Sequence, residues 1–145
     1  MRPRANRRGS HAIEFALVLP ILLSIVSGIV DYGQFYSSAL SVINATREGG
    51  RSGAADDSDV SPDACTTAEN ATVTALHGAG FSTATTSNVS AAVTVDGTTG
   101  DKILTVNSQL NFSRLFGLVP APNQLKGRIV VRLEDQANSL CSNAM

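Results

Sequence analysis

The chain has no tryptophan, and aromatic residues make up 5% of its 145 residues. With so little large apolar surface, a small domain has a thin core and depends on packing against another element or on a cross-link. The two cysteines and two histidines predict no clustered metal site. His11 and His77 have no partner at a triad spacing, and no phosphate-binding glycine loop is present. We therefore predict no catalytic residue, no metal and no cofactor.

Acids are missing from the N-terminus, which instead carries an arginine cluster: Arg2, Arg4, Arg7 and Arg8. A basic cluster beside an apolar helix is retained on the cytoplasmic side of a membrane, so the residues after the helix are predicted to lie outside the cytoplasm. Removing residues 1–9 takes four of the eleven basic residues and leaves twelve acids, a net charge of about −5. A chain of this sign offers no basic face to nucleic acid, and its partners are predicted to be proteins.

Residues 15–30 form an apolar run without charge. As a helix this run spans about 24 Å, against a hydrocarbon core of about 30 Å. Residues 12–13 and the Asp31-Tyr32 border lengthen it, with Tyr32 placed for the outer interface. Proline, hydroxyl groups and glycine weaken the segment, at Pro20, Ser24, Ser27 and Gly28. A marginal single-span anchor is predicted.

Three interpretations of this segment compete. One is a signal peptide cleaved near Val26-Ser27-Gly28, and another is a plain single-span anchor. The third starts from Gly9, which precedes Glu14-Phe15 by five residues and lies between the arginine cluster and the apolar run. This arrangement resembles the processing site of type IV pilins of the tight-adherence kind. In that family a prepilin peptidase cuts on the cytoplasmic side after the glycine and leaves the apolar segment on the mature protein.

The resemblance extends along the chain. The segment Glu14-Phe15-Ala16-Leu17-Val18-Leu19-Pro20 resembles the opening of the TadE-like pseudopilins, as do Asp31-Tyr32-Gly33 and Ala45-Thr46-Arg47-Glu48-Gly49-Gly50-Arg51. Val131-Arg132-Leu133-Glu134 is similar to the short strand that closes that family's domain. The resemblance is specific for residues 7–53. It departs at Gly50, where alanine is common in the family, and in the Ser/Thr/Ala-rich middle.

The resemblance implies a minor pilin or pseudopilin of a tight-adherence (Flp-type) pilus or secretion system, a non-enzymatic assembly or priming subunit. Its processing residues would be Gly9, Ser10, Glu14 and Phe15. The implied partners are a prepilin peptidase, other pilins and an inner-membrane assembly platform. The implied location is the inner membrane, with a cytoplasmic N-terminus and a periplasmic head. A signal-anchored periplasmic or extracellular binding module is the alternative.

A cut after Gly9 would give the acid at position 14 a chemical role. The cut exposes the amine of Ser10, and Glu14 lies at i+4 on the same helix face. Opposite charges at about 4 Å gain roughly 1 kcal/mol in water and about 4 kcal/mol at an effective dielectric near 20. The resemblance implies that Glu14 pairs with the N-terminus of a neighbouring subunit. The sequence alone equally permits pairing with its own amine, aided by the helix dipole.

The predicted fold class is α+β: a long transmembrane and stalk helix, then a small head with one helix and a three-stranded antiparallel sheet. Apolar residues at helical spacing continue to Ile43 and predict one helix over residues 10–51, about 60 Å long. Glycine usually follows a helix C-terminus, so Gly49, Gly50 and Gly53 are predicted to end it. We divide the chain into a leader (1–9), a stalk helix (10–53) and a head (54–145), whose first residues, 54–62, form a polar neck.

Within the head, Ser61-Pro62-Asp63 predicts the start of a helix that stops at Gly78 and Gly80. Alternating apolar residues predict strands over 89–95, 103–112 and 127–134, with a turn at 96–101 and an irregular crossover at 115–125. Cys65 and Cys141 are the only cysteines. An oxidising periplasm favours a bridge between them, and two free, packed thiols are the alternative.

Overall fold

The computed structural model describes residues 7–55, 63–118, 120, 122–133 and 141. The described elements are α1 (Arg7–Ala54), α2 (Ala64–Gly78), a 3₁₀ turn (Thr86–Asn88), β1 (Val89–Val95), β2 (Lys102–Asn111) and β3 (Gln124–Leu133). This arrangement confirms the predicted α+β class. Most of the predicted neck, with the acids of residues 56–59, and the last predicted strand residue, Glu134, lie outside the described residues.

Helix α1 has 48 residues and is therefore about 72 Å long. Pro20 lies inside it. The helix also continues through Gly49, Gly50 and Gly53 to Ala54, so the prediction that these glycines end it is wrong. All three are buried, and their role is to let other elements approach the helix.

The approach is closest where α1 crosses α2. A Cβ atom on Gly49 would overlap Thr72 Oγ1 and lie 2.6 Å from the Ala68 carbonyl oxygen. A Cβ atom on Gly53 would lie 2.7 Å from the Ala64 carbonyl oxygen. Real Cβ atoms do not come this near to a backbone oxygen. The two helices therefore pack backbone against backbone, and packing outweighs the poor helix propensity of glycine.

The sheet has the order β1-β2-β3, and both strand pairs are antiparallel. In β2 the residues Leu104, Val106, Ser108 and Leu110 are buried and alternate with half-buried ones, as expected for a sheet with one face on a core. Helices α1 and α2 cover that face. β3 begins at Gln124, three residues before the predicted start at Gly127, and pairs along its full length with β2.

Helix α1 meets the sheet at a polar contact. Thr46 Oγ1 donates to the Val42 carbonyl oxygen at 2.7 Å and lies 2.6 Å from Ser108 Oγ. The Ser108 hydroxyl is then the donor between the two hydroxyls, so both buried groups are satisfied. Gly127 lies opposite Ser108 in β3, and a Cβ atom there would overlap Thr46 Oγ1. Because Gly127 has no side chain, α1 can pack closely on the sheet at this point.

The outer edge of β1 is covered rather than free. The Ala91 amide donates to Glu69 Oε1 at 3.2 Å, and the Val93 amide donates to the Cys141 carbonyl oxygen at 2.9 Å. Cys141 is joined to Cys65 in a disulfide, which is one of the two alternatives that the sequence left open. Cys141 is therefore tied to α2 by the bridge and to the strand edge by its carbonyl oxygen, and unpaired backbone groups at such an edge would favour aggregation.

Candidate functional site: the exposed anchor helix and the loop at its outer end

The first part of α1 is exposed along its length within the described part of the chain. Every residue from 11 to 26 is exposed, including large apolar side chains such as Phe15, Leu17 and Ile21, which are 64%, 70% and 64% exposed. The helix from His11 to Ala54 is, by length and composition, long and apolar enough to cross a membrane. Exposed apolar surface of this extent marks a membrane or protein contact.

The predicted processing residues lie at the start of this helix. Gly9 and Ser10 fall within the first turn of α1. Glu14 and Phe15 follow one turn later and are exposed. Glu14 Oε2 lies 3.5 Å from His11 Nδ1, and both side chains are mostly exposed, at 70% and 80%. The pairing of Glu14 with the Ser10 amine belongs to the cut chain and stays a prediction.

At the outer end of the apolar run, the Asp31 side chain is completely buried. Its Oδ1 atom accepts hydrogen bonds from the Leu115 and Phe116 amides, each at 3.1 Å, and its Oδ2 atom accepts one from the Gly117 amide at 2.9 Å. The positive charge of Arg114 adds a favourable interaction with this carboxylate. Asp31 therefore holds three consecutive amides of the loop between β2 and β3, here called the 114–118 loop.

Sequence reasoning missed this role of Asp31 and placed it only at the membrane border. The signal available was an acid directly after an apolar run, on the helix face that also carries the small residues Ser27 and Gly28. Both of these are buried. Tyr32 was predicted to lie at the outer interface, and its hydroxyl donates to the Pro120 carbonyl oxygen at 2.8 Å. A second hydrogen bond thus joins the connection between β2 and β3 to α1.

The loop and the helix together enclose an apolar groove of about 270 Å³. Its lining is almost entirely hydrocarbon and comes from Leu23, Val26, Ser27, Val30, Phe116 and Leu118. In the loop, the side chains of Leu115, Phe116 and Leu118 are 62%, 55% and 64% exposed. The groove therefore extends the apolar surface of the helix onto the head.

The two histidines lie far apart in the sequence, and each contacts a residue near it in the chain. His77, in the last turn of α2, places its Nε2 atom 2.7 Å from the Ala84 carbonyl oxygen. His11 contacts Glu14 as described above. Among the described residues, no three histidine, cysteine or acidic side chains gather into a group that could hold a metal ion.

The fold and the exposed helix define a class of protein in which one long apolar helix carries a small α+β head. Residues 9–51 match the model of the family described as TadE-like protein, so the apolar helix of this chain is similar to that of TadE-like proteins. The match begins at the predicted processing glycine and ends where α1 packs on α2. Comparisons with curated proteins and with solved structures found no match.

Proposed function

We propose that this protein is a minor pilin or pseudopilin of a tight-adherence (Flp-type) pilus or secretion system, acting as a non-enzymatic assembly or priming subunit. The observation that carries the proposal is the coincidence of the family match at 9–51 with a helix that is apolar and exposed over residues 15–26. A helix of this kind suits both a bilayer and the helical core of a filament.

The exposed face of α1 also supports assembly with other subunits. Tyr36 and Leu40, which lie one and two turns after Tyr32, are 66% and 60% exposed. Both belong to the apolar residues at helical spacing that continue to Ile43. The inward face of this part of α1 carries Phe35, Ala39 and Val42. The outward apolar side chains are available to helices of neighbouring pilins, which are the proposed partners together with the inner-membrane platform.

In this proposal the newly made chain lies in the inner membrane, with a cytoplasmic N-terminus and a periplasmic head. A prepilin peptidase cuts the Gly9–Ser10 bond. The free Ser10 amine then pairs with Glu14 of its own or a neighbouring chain, and Phe15 starts the apolar segment of the mature helix. The anchor is short for a bilayer, which favours a subunit that leaves the membrane during assembly.

Mass spectrometry of the mature N-terminus in the native host tests this proposal. Ser10 as the first residue is the expected result. Substitution Gly9→Leu should block the cut and leave the leader in place, while Gly33→Leu, outside the processing segment, should leave it unchanged. Cleavage near Gly28 would instead support an exported binding module. An intact Met1 in cells with a working peptidase would overturn the pilin assignment.

A further inference from the structure

We propose that the 114–118 loop is a second membrane contact: Leu115, Phe116 and Leu118 insert among the lipid acyl chains beside α1, and acyl chains fill the groove. The inference rests on the proposed function only in requiring that α1 spans a bilayer. It adds that the head is seated directly on the outer leaflet, with no length of bare helix between them.

The position of the loop along α1 is the first argument. The helix residues that line the groove, from Leu23 to Val30, span about 10 Å of the helix axis. They belong to the same apolar run that forms the anchor, and Ile25 and Ile29 beside them are 57% and 68% exposed. If the bilayer surrounds this part of the run, then Phe116 and Leu118 lie at the same depth, because they share its groove. The loop surface is continuous with the membrane-spanning surface.

The hydrogen bonding of the loop is the second argument. A backbone amide that leaves water without gaining a partner costs free energy. Asp31 supplies partners to the amides of Leu115, Phe116 and Gly117. These hydrogen bonds remove the cost of taking three consecutive amides away from water, so the loop can lie among acyl chains without leaving those amides unpaired.

The charges at the loop fit the edge of a bilayer. Arg114 immediately precedes the three apolar side chains and interacts electrostatically with Asp31. A long cationic side chain next to an inserted loop reaches the lipid phosphates while its stem stays in apolar surroundings. Tyr32, which is 38% exposed and bonded to Pro120, lies where aromatic residues with a polar tip concentrate at interfaces.

Because the chain has no tryptophan, the fluorescence of a single introduced tryptophan reports the surroundings of that one position. Single-tryptophan variants of the full chain are placed in phosphatidylcholine vesicles, with and without bromine on the acyl chains, because bromine quenches tryptophan emission only near contact. Phe116→Trp is the test position. Ile21→Trp, 64% exposed on the anchor, is the positive control, and Val130→Trp, 51% exposed on the sheet, is the negative control.

We expect Phe116→Trp to lose most of its emission in brominated vesicles, as Ile21→Trp does, while Val130→Trp keeps its emission. Quenching of Ile21→Trp without quenching of Phe116→Trp would overturn the loop contact and leave the anchor intact. Emission from Phe116→Trp that is blue-shifted yet unquenched would assign the groove to protein, such as a second copy, and also overturn it. Absence of quenching at both positions would reject the membrane anchor and the loop contact together.

Asp31→Ala, combined with each probe, tests how the loop is held. Release of the three amides should move the Phe116→Trp emission to longer wavelength and reduce its quenching, while Ile21→Trp with Asp31→Ala should remain quenched. Undiminished quenching of Phe116→Trp in the Asp31→Ala chain would contradict the holding role of Asp31. The comparison at Phe116 in the chain with Asp31 intact decides the loop contact even if the alanine variant folds poorly.

Discussion

Two acids of α1 differ in what surrounds them. Asp31 is buried and accepts three hydrogen bonds from one loop. Glu14 is exposed, and its Oε2 atom lies 3.5 Å from His11 Nδ1. An acid in an apolar helix is costly unless it gains a partner, and Asp31 has its partner within the chain. In the proposed function, Glu14 gains a comparable partner when the cut after Gly9 releases the amine of Ser10.

Glu14→Gln is therefore expected to leave cleavage at Gly9–Ser10 intact but to lower the number of surface pili, because glutamine keeps the shape and loses the charge that meets the amine. Opposite charges at about 4 Å gain roughly 4 kcal/mol at an effective dielectric near 20, enough to change incorporation many-fold. The measurement is a count of pili by electron microscopy, together with the mass of the mature N-terminus.

The matched control is Glu48→Gln, which removes an exposed acid of the same helix beyond the apolar run. Its carboxylate lies 3.5 Å from Arg51, and that pair is exposed, so the change should affect neither cleavage nor pili. Normal piliation with Glu14→Gln would remove the electrostatic role of Glu14 from the proposal.

At the scale of elements, the position of α1 depends on three residues without side chains. Gly49 and Gly53 bring α1 against α2, and Gly50 brings it against β3, where a Cβ atom would lie 2.8 Å from Ile129 Cγ2. Overlap with backbone is harder to relieve than overlap with the end of a side chain. The contact with α2 is therefore the less adaptable of the two.

Gly49→Ala is expected to destabilise the fold by about 1–3 kcal/mol, because the added methyl group must displace Thr72 and the α2 backbone. That loss corresponds to a decrease in Tm of roughly 5 °C or more. Gly33→Ala is the control, since a Cβ atom on Gly33 meets nothing within 4 Å. It should raise stability by about 0.5–1 kcal/mol through helix propensity alone. Thermal unfolding of the full chain in detergent micelles measures both.

A decrease in Tm for both variants would mean that α1 is sensitive to any side chain on glycine, not to the contact with α2. An unchanged Tm for Gly49→Ala would show that α2 moves aside without loss. Only opposite signs for the two substitutions support close helix packing as the reason for Gly49.

The elements that could be predicted from sequence are those with a local signal. β1 occurs at 89–95 as its alternation indicated, and Asp63 caps α2 by accepting from the Thr66 amide at 2.8 Å. The glycines of α1 were misjudged because glycine marks both a helix end and a close contact. The Asp31 contact was missed because its partners lie 84–86 residues away, and no local pattern joins them.

At the scale of the whole molecule, the chain is apolar and exposed at one end and cross-linked at the other. The head has a thin core whose fully buried large side chains include Leu76, Leu104 and Leu125. α1 supplies one wall of that core, and the disulfide closes a loop of 76 residues. Stability of the head is thus shared between the helix that carries it and a covalent bond near the C-terminus.

Reduction of the Cys65–Cys141 bond is expected to lower the free energy of unfolding by about 2–4 kcal/mol, the typical range for a disulfide, whereas the chain-entropy model alone gives about 4.5 kcal/mol for a loop of this length. The loss of protection from hydrogen exchange should also be local. The Val93 amide donates to the Cys141 carbonyl oxygen, whereas the Ala91 amide, on the same edge, donates to Glu69. Hydrogen exchange should therefore accelerate more at Val93 than at Ala91. Equal acceleration at both amides would mean global unfolding, and no acceleration at Val93 would show that the C-terminal segment stays on β1 without the disulfide.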